Sequence, residues 1–502
     1  MYILFSSQEI LNFISQIKRM KIIHFVLFFL VSVKAFAQPA PKPYGAIPSQ
    51  RQLAWHNIEL YGLVHFTPTT FENKEWGYGD ADPKTFNPTN FDAEQIVKSA
   101  KAGGLKAIIL VAKHHDGFAL WPTKTTEYNI TKSPFRNGKG DLVKEMELAV
   151  RKHGLKFGIY CSPWDRNNTS YGTDSYLKIY QAQLRELYTN YGELFMSWHD
   201  GANGGDGYYG GAKEKRSIDN TTYYDWKNTW QITRNLQPMA NIFSDVGLDV
   251  RWVGNEDGFA ADTSWATFTP MPPDGKNVAV PGQANYPQSP AGIKNGKFWM
   301  PAECDVPLRK GWFFHANEKP KSPEKLFELY LKSVGRGAGL DLGLAPNTAG
   351  IINDDDVNTL SVFGEILNKT FASNLLIGAK ITASNTRGNK YMPTNLISEN
   401  SQNYWATTDD VHQATLSLDL KKESTFDIIS LQEFIALGQR IDSFTIDVYE
   451  QEKWRQVYAG ASIGAKRLIK LSQVAKTNKV RIKIKAPVCI ALSKIGLYKY
   501  AG

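Results

Sequence analysis

Hydrophobic runs of strand length alternate with helix-like amphipathic segments from Gln52 onward. The runs predict strands at residues 60–66, 106–112, 156–161 and 194–198, with shorter candidates at 240–244, 250–253, 298–301 and 340–344. Between them, apolar residues at helical spacing predict helices at residues 92–102, 142–152, 175–189, 224–234 and 323–335. Strands that alternate with helices of this length are typical of βαβ units in a parallel sheet. The number of repeats favours an α/β fold with a (β/α)8-like TIM barrel over residues 38–370.

An open, doubly wound sheet is the alternative architecture for this region. Such sheets commonly bind nucleotides at a glycine-rich turn that follows a strand. None of the predicted strands is followed by that fingerprint, so the barrel is the preferred prediction.

The pattern changes after a last apolar segment at residues 360–367. Residues 374–502 hold short alternating segments separated by polar turns, at 414–420, 442–449, 453–457, 479–484 and 490–497. Such a pattern with almost no helical periodicity predicts an all-β sandwich. We expect this second domain to brace the barrel, because Tyr404 and Trp405 alone stand out as aromatics suited to a sugar-binding surface.

Polar and aromatic residues follow the predicted strands at the point where each strand ends. In chain order they are His65, then His114, His115 and Asp116, then Tyr160 and Trp164, then Asp200, Glu256 and Glu303. The carboxyl ends of barrel strands meet at one rim, so these side chains are expected to converge. Histidines and carboxylates can bind sugar hydroxyls, and tryptophans can cover the apolar face of a sugar ring. The pattern therefore predicts a carbohydrate site.

Asp200 is the strongest single candidate at this rim. The apolar run 194–198 stops at His199, Asp200 and Gly201, which is typical of a buried strand that delivers a carboxylate to its end. The alternative is a plain turn, because Asp-Gly is a common turn dipeptide. We expect Asp200 beside His199 to stay ionised.

A metal site is the alternative interpretation of His114, His115 and Asp116. Neighbouring residues of a strand point to opposite faces, so the two histidines could share one metal only if the backbone turns there. We therefore expect no metal and no other cofactor.

Composition and an N-terminal segment indicate where the protein works. The 502 residues are 42% hydrophobic and 21% charged, as in ordinary globular proteins of two or three domains. Residues 20–33 combine a basic start with an apolar run too short to span a bilayer, and residues 35–37 (AFA) suit cleavage. Residues 1–37 are thus interpreted as an upstream extension plus a signal peptide. The protein is expected to be periplasmic or secreted, without stable membrane insertion.

Charge and cysteine usage argue against two further classes, nucleic-acid-binding proteins and proteins held by a disulfide framework. Loss of residues 1–37 removes four of 58 basic and one of 49 acidic residues, which leaves a net charge of +6 without any Lys/Arg block. No nucleic-acid partner is therefore expected. Cys161, Cys304 and Cys489 are too few for a disulfide framework, although a single Cys161–Cys304 pair stays open. Nothing in the sequence indicates an oligomeric state.

Six runs carry a resemblance to a known family. They are HFTPTTFENKEWG (65–77), AIILVAKHHDGFALWPT (107–123), KFGIYCSPWD (156–165), FMSWHDG (195–201), VRWVGNE (250–256) and GLDLGLAPNTAGII (339–352). In this order they resemble the family 29 α-L-fucosidases. Residues 374–407 and the closing ALSKIGLYKY resemble discoidin-like, galactose-binding-like modules.

The resemblance implies a role for each matching residue. Asp200 of the Trp-x-Asp-Gly motif matches the family's nucleophile, and Glu256 of the Gly-Asn-Glu motif matches its acid/base. The positions that the resemblance implies hold the fucose are His65, Glu75, Trp76, His114, His115, Tyr160, Arg251 and Trp312. A retaining glycosidase needs two such carboxyl groups about 5–5.5 Å apart, one ionised and one protonated. The expected function is a retaining exo-α-L-fucosidase whose partner is a fucosylated oligosaccharide or glycoconjugate.

Two further runs bear on the linkage that is cleaved. Residues 249–258 (DVRWVGNEDG) and 299–315 (WMPAECDVPLRKGWFFH) resemble the branch that removes α1,3- or α1,4-linked fucose from branched oligosaccharides. A broad-specificity α-L-fucosidase is one alternative. A non-catalytic protein that binds fucosylated glycans is the other, and the presence of both carboxylates favours the enzyme.

Overall fold

The computed structural model describes residues 8, 12, 15, 38–220, 222–244, 248–270 and 286–502. The signal peptide predicted within residues 1–37 therefore lies outside the described residues, apart from those three isolated positions. None of the described helices is both long and apolar enough to cross a membrane.

The first domain is a closed barrel of parallel strands. Its described strands are β1 (Leu60–Val64), β2 (Ala107–Lys113), β3 (Lys156–Cys161), β4 (Met196–Trp198), β5 (Gly205–Gly207), β6 (Glu214–Arg216), β7 (Asn241–Ser244), β8 (Val250–Trp252), β9 (Thr267–Phe268), β10 (Phe298–Trp299), β11 (Ala302–Pro307) and β12 (Gly339–Leu344). Eight of these close the barrel in the order β1, β12, β11, β8, β7, β4, β3, β2. The predicted barrel architecture is confirmed.

Helices surround the barrel, and side-chain caps fix where several of them begin. The described helices are α1 (Gln50–His56), α2 (Pro68–Phe71), α3 (Ala93–Ala102), α4 (Leu142–Lys152), α5 (Asp174–Asn190), α6 (Trp226–Leu236), α7 (Pro323–Lys332) and α8 (Asp354–Phe371). Asp92 accepts from the Gln95 amide before α3 and Asp141 from the Lys144 amide before α4, each saturating an amide that lacks a helical partner. Such a cap is worth about 1 kcal/mol.

Alternation along the strands separates the barrel interior from the helix layer. In β1, Tyr61 and Leu63 join the cluster inside the barrel, whereas Leu60 and Val64 pack in the larger cluster that includes the helices. The period of two in side-chain direction explains this division. Residues two apart on one strand can therefore be expected to share the barrel interior.

One barrel strand differs from its prediction. The expected strand at 298–301 is only the short β10, which pairs antiparallel with β9 outside the barrel. The barrel strand is β11, whose sequence AECDVP shows no continuous apolar run. Its polarity has a structural reason, because Glu303 and Asp305 face into the barrel and contact Trp198 and Trp252 there.

The second domain is an all-β sandwich, as predicted. Its described strands are β13 (Lys380–Ala383), β14 (Trp405–Ala406), β15 (Gln413–Glu433), β16 (Ser443–Glu450), β17 (Lys453–Gly460), β18 (Arg467–Lys485) and β19 (Ala491–Tyr498). β15 and β18 pair over most of their length, with register shifts, and each is longer than the segment predicted within it, 414–420 in β15 and 479–484 in β18. A separate apolar cluster that includes Leu416, Ile446 and Ile482 forms its core.

The sandwich is bound to the barrel domain by polar contacts and by a contact between aromatic rings. Gln439 is 5% exposed and bonds the backbone of Ser264 and Ala266, at 3.1 and 2.8 Å. Arg467 pairs with Asp262 at 2.9 Å. The Tyr500 ring lies 4.7 Å from that of Phe327 in α7. These contacts support the expectation that the second domain braces the first.

The segment that opens the described chain is held by the sandwich. In this N-terminal strap, residues 39–44, the Pro39 carbonyl accepts from Arg387 and the Lys42 carbonyl from Arg440. The Tyr44 amide donates to the Leu437 carbonyl at 2.9 Å. The strap therefore connects the start of the barrel domain to the sandwich domain.

The three cysteines are free and buried. Cys161 lies on β3 and Cys304 on β11, which are not neighbours in the barrel. The pair that the sequence left open is thus not formed.

Candidate active site

A pocket opens at the carboxyl end of the barrel and has room for about one sugar ring. Its volume is about 210 Å³, below the roughly 300–1,000 Å³ of sites for drug-sized ligands. The described residues that line it are Leu63, His65, Trp76, His114, His115, Tyr160, Trp198, Asp200, Gly201, Ala202, Phe243, Trp252, Glu256, Asp305 and Trp312. Both predicted catalytic carboxylates and six of the eight predicted substrate-binding residues are among them.

Asp200 is fixed by hydrogen bonds and remains partly accessible. Its Oδ2 accepts from the Tyr160 hydroxyl at 2.9 Å, and its Oδ1 accepts from the Ala202 amide at 2.7 Å. Burial, followed by the charge of Asp200, raises the pKa of Tyr160 well above its usual value, so the phenol keeps its proton and donates. These two donors fix the orientation of the carboxylate, which leaves Asp200 suited to act as a nucleophile.

His115 lies next to Asp200, but its protonated ring nitrogen faces Ser162. Its Nδ1 is 2.8 Å from the Ser162 hydroxyl, and that hydroxyl donates its single hydrogen to the Trp164 carbonyl. Nδ1 must therefore be the protonated nitrogen. Burial lowers the pKa of His115 to about 4 despite the nearby Asp200, so the ring is neutral at pH 7. Nε2, 3.8 Å from Asp200, is then a free acceptor for a hydroxyl hydrogen.

His199 does not support Asp200 in the way expected from the sequence. Met196 and Trp198 face the barrel interior on β4, and Asp200 continues their side of the chain, whereas His199 points outward. Its two ring nitrogens bond Tyr180 and Ser197, and burial lowers its pKa to about 3. The expected support of Asp200 by His199 is therefore not formed, and the partners of the Asp200 carboxylate are Tyr160 and the Ala202 amide.

A register shift brings both neighbouring histidines into the pocket. The pairing of β2 with β3 shifts between Val111 and Lys113, and Lys113 points outward to Asp165. The backbone then turns, so the His114 and His115 rings lie only 4.1 Å apart. Among the described residues, no group of three or more His, Cys, Asp and Glu side chains is placed to hold a metal ion.

The pocket histidines are neutral hydrogen-bonding groups. Burial lowers the pKa of His65 to about 3 and that of His114 well below its usual value, and each is lowered further by a neighbouring histidine. A neutral imidazole offers one donor and one acceptor, which suits a sugar hydroxyl. Trp76 borders the same pocket with 53% of its surface exposed, so it is available to a ligand.

Glu256 lies at the open side of the pocket and differs from Asp200 in its environment. Partial burial raises its pKa, a hydrogen bond from the Trp312 indole opposes this, and the charges of Asp200, Glu75 and Asp257 raise it further. The protonated form of Glu256 is thus favoured relative to an isolated glutamate. Two carboxyl groups in one pocket, one held by hydrogen-bond donors and the other with a raised pKa, are the arrangement that glycoside hydrolysis requires.

Two predicted substrate-binding residues are placed elsewhere. Arg251 points outward from β8 between the inward Val250 and Trp252, and it is fully buried. Its guanidinium donates to the carbonyls of Ser289, Trp265 and Met300. Arg251 therefore holds these backbone segments outside the barrel, and the structure does not bring it to the pocket.

Glu75 is the other predicted ligand that does not line the pocket. Its carboxylate accepts from the amides of Trp312 and Phe313, at 2.8 and 3.3 Å, and pairs with His315 at 2.6 Å. The side chain is thus committed to a neighbouring loop.

Sequence reasoning also missed lining residues. Trp198 and Trp252 lie two and four positions before Asp200 and Glu256, so the period of two on their strands would have placed them on the same face. Asp305 lies on β11, which was not recognised as a barrel strand. Its carboxyl accepts from the Trp252 indole at 2.7 Å.

Three carboxyl groups lie inside the barrel next to the pocket. Glu303, expected at the rim, is fully buried and accepts from Tyr61 and from the Trp198 indole. Burial raises the pKa of Glu303 to about 7, and burial plus the neighbouring carboxylates raises those of Asp305 and Asp341 well above their usual value. Burial therefore favours the neutral form of all three groups.

Comparison with known families now decides the classification. The family described as Alpha-L-fucosidase matches residues 24–370, the barrel domain with its pocket. The chain belongs to the alpha-L-fucosidase family. A second family, described as F5/8 type C domain, matches residues 380–494 of the sandwich.

Individual relatives cover nearly the whole fucosidase chain. Alpha-L-fucosidase 1 of Arabidopsis thaliana is 38% identical over 496 residues, which is 95% of this chain and 94% of the relative. The crystal structure of SpGH29 superimposes with a TM-score of 0.84 at 35% identity and covers 92% of this chain and 100% of that one. A Ruminococcus gnavus GH29 fucosidase in complex with fucose gives a TM-score of 0.82 at 30% identity, with 93% and 97% covered.

Family membership and the geometry of the pocket indicate the same type of reaction. The fucosidase pocket combines the carboxyl groups of Asp200 and Glu256 with neutral histidines and with tryptophans. The protein is a glycoside hydrolase.

Proposed function

We propose that the protein is a retaining exo-α-L-fucosidase that releases α1,3- or α1,4-linked L-fucose from branched oligosaccharides or glycoconjugates. The observation that carries this proposal is the single-sugar pocket shared by Asp200 and Glu256. A pocket with room for about one sugar ring accepts a terminal residue and excludes the interior of a chain. The relative crystallised with fucose supports the identity of the sugar.

Asp200 acts as the nucleophile in the proposed double displacement. Its oxygen attacks the anomeric carbon, and the bond to the leaving oxygen breaks as a fucosyl ester forms. Tyr160 and the Ala202 amide hold the carboxylate in place before the attack. Water then displaces Asp200 and restores the original configuration.

Glu256 acts as the acid and then as the base. Its raised pKa keeps a proton available for the leaving oxygen in the first step. In the second step the carboxylate takes a proton from the attacking water. Its place at the open side of the pocket allows contact with the leaving group.

The remaining pocket residues bind the sugar. His65, His114 and the free Nε2 of His115 are neutral partners for hydroxyl groups. Trp76 and Trp312 border the same space and offer ring faces to the apolar side of the sugar.

Linkage preference is expected to favour Lewis-type trisaccharides. We expect kcat/KM for such a trisaccharide to exceed that for an aryl fucoside or an α1,2-linked fucose by at least about tenfold, or about 1.4 kcal/mol in transition-state stabilisation. The reason is that contacts with a neighbouring galactose can be used in the transition state. Release of free fucose from the three substrates under equal conditions measures this.

The matched control for this prediction is the disaccharide with fucose linked to N-acetylglucosamine alone. It lacks only the galactose, so it should lose kcat as well as affinity if that sugar is used in the transition state. Comparable kcat/KM for all substrates would contradict the linkage proposal and indicate a broad-specificity α-L-fucosidase.

We also propose that the protein is exported, to the periplasm or outside the cell. The support is the basic start, the apolar run and the small residues at 20–37. The mature protein purified from its natural host is expected to begin at Gln38, which intact-mass measurement of periplasmic and extracellular fractions would show. A cell-associated chain that retains residues 1–37 would contradict export.

A further inference from the structure

The positive charge of the protein is concentrated in the sandwich domain. Residues 374–502 hold 18 Lys and Arg against 11 Asp and Glu, which gives a net charge of +7. Residues 38–373 hold 36 Lys and Arg against 37 Asp and Glu and are therefore almost neutral. The whole positive excess of the chain after residue 37 thus lies in the smaller domain, which favours an anionic partner for that domain.

One strand of the sandwich presents four of these cations on a single face. Along β18, the side chains of Val480, Ile482 and Ile484 are buried in the core of the sandwich. The positions between them face the other side, towards solvent, because side chains alternate along a strand. These outward residues are Lys479, Arg481, Lys483 and Lys485. Their spacing forms no Lys/Arg block in the sequence, yet the strand collects them in one row about 20 Å long.

A small cleft lies over one end of this row. Its volume is about 280 Å³, slightly larger than that of the active-site pocket. In this lysine cleft, polar side chains of β15, β18 and β16 stand side by side, Gln413, Lys485 and Ser443 in one row and Thr415, Lys483 and Thr445 in the next. Each lysine is therefore flanked on both sides by a group that can hydrogen bond to a sugar.

The two lysines of the lysine cleft keep charge available for a ligand. Lys483 is 3.2 Å from Asp447, but Arg481 binds that carboxylate more closely, at 2.7 Å. The Lys483 side chain is 52% exposed, and Lys485 has no ion-pair partner among the described residues. The cleft thus offers ammonium groups and hydroxyls, while the nearby guanidinium is already paired. Ammonium groups are point charges, which suit the tetrahedral oxygens of a sulfate, whereas a planar carboxylate is matched best by a guanidinium fork.

The two aromatic residues that the sequence singled out in this domain are not available to a sugar. Trp405 is fully buried. Tyr404 is 7% exposed, and its ring is stacked on that of Phe434 with centroids 4.0 Å apart. Neither ring can cover the apolar face of a neutral sugar. Charge and hydroxyl groups, which the lysine cleft supplies, are the remaining means of binding a glycan there.

We propose that the lysine cleft binds a sulfated glycan, with a sulfate group between the ammonium groups of Lys483 and Lys485. Residues two apart on a strand are about 6.7 Å apart along it, a distance that two flexible lysine side chains can close around one anion. The neighbouring Ser, Thr and Gln side chains bind the sugar hydroxyls. The cleft shares no described lining residue with the active-site pocket, so binding there is independent of fucose hydrolysis.

Three polymers with one backbone test the choice of anion. They are dextran, carboxymethyl-dextran and dextran sulfate, the last two at equal charge density. The purified protein is expected to bind dextran sulfate at about 0.15 M salt, where exposed charges are screened beyond about 8 Å, and not to bind dextran. Carboxymethyl-dextran should bind at least about fivefold more weakly than dextran sulfate. Equal affinity for the two anionic polymers would overturn the choice of sulfate.

A pair of double variants tests the location. Lys483→Gln with Lys485→Gln removes both ammonium groups and should raise the Kd for dextran sulfate by at least about tenfold, because hydrogen bonds to charged groups are lost. Lys421→Gln with Lys422→Gln is the matched control, since it removes two charges from exposed positions of β15 outside the lysine cleft. The control should change Kd by less than about threefold, because any non-specific attraction depends on net charge, which is the same in both variants.

Equal weakening in the two double variants would overturn the proposal and leave only a non-specific attraction between a basic domain and a polyanion. Failure of the wild-type protein to bind dextran sulfate at this salt concentration would overturn it as well. Free fucose should not compete with dextran sulfate, and competition would place the binding at the active-site pocket instead. Both variants should keep the wild-type unfolding temperature and fucose release, because the substituted lysines are exposed and lie outside that pocket.

Discussion

Asp200→Ala is expected to lower kcat by about 10⁴-fold or more, the scale seen when the nucleophile of a covalent mechanism is removed. Fucose should still bind, because His65, His114 and the tryptophans remain in the pocket. Release of fucose from an oligosaccharide measures the loss, and titration with free fucose measures the binding.

Two checks make this result specific to Asp200. Thermal unfolding shows whether the unpaired Tyr160 hydroxyl has destabilised the variant, since an unpaired buried polar group costs about 1–3 kcal/mol. Asp174→Asn removes an exposed carboxylate at the start of α5 and should keep wild-type kcat. An Asp200→Ala variant that retains more than about one hundredth of the wild-type kcat would be incompatible with a nucleophilic role.

Glu256→Ala is expected to lower kcat/KM by about 10²–10⁴-fold on oligosaccharides, the range of a general acid. Substrates with activated leaving groups should lose far less, because they depart without a proton. The alkaline limb that Glu256 imposes should also disappear from the pH profile. Uniform losses on all substrates would show that Glu256 does not supply the proton.

Azide separates the two roles by stereochemistry. With Asp200→Ala, the small anion should take the place of the missing carboxylate and give an inverted β-fucosyl azide. With Glu256→Ala, azide should attack the fucosyl-enzyme and give the retained α-fucosyl azide. NMR of the two products distinguishes these outcomes, and the opposite pattern would exchange the roles of the two residues.

The sequence predicted those elements whose burial pattern is simple. β3 and α4 have the predicted bounds, Lys156–Cys161 and Leu142–Lys152. β3 is buried at five of its six positions, so its apolar run is continuous. β11 was missed because its inward positions are Glu303 and Asp305, which break the hydrophobic run that identifies a buried strand. The acidic residues that face the barrel interior thus made β11 hard to recognise from the sequence.

Candidate residues could be named from motifs, but their orientation could not. Asp200 and His199 are adjacent in sequence and face opposite sides of β4, and Arg251 is separated from the pocket by the same alternation. The period of two predicts this once strand bounds are known. The Glu75 carboxylate bonds a loop more than 230 residues away in sequence, and no local pattern reports such a contact.

The N-terminal strap sets an order of events during synthesis. Pro39 and Lys42 follow the predicted cleavage site by only a few residues, yet Arg387 and Arg440, which hold them, are made hundreds of residues later. The strap cannot reach its final place until the whole chain has emerged. A signal peptide removed early would therefore be cleaved from a chain that is still incomplete. Binding of the strap to the sandwich would then be among the last steps of assembly.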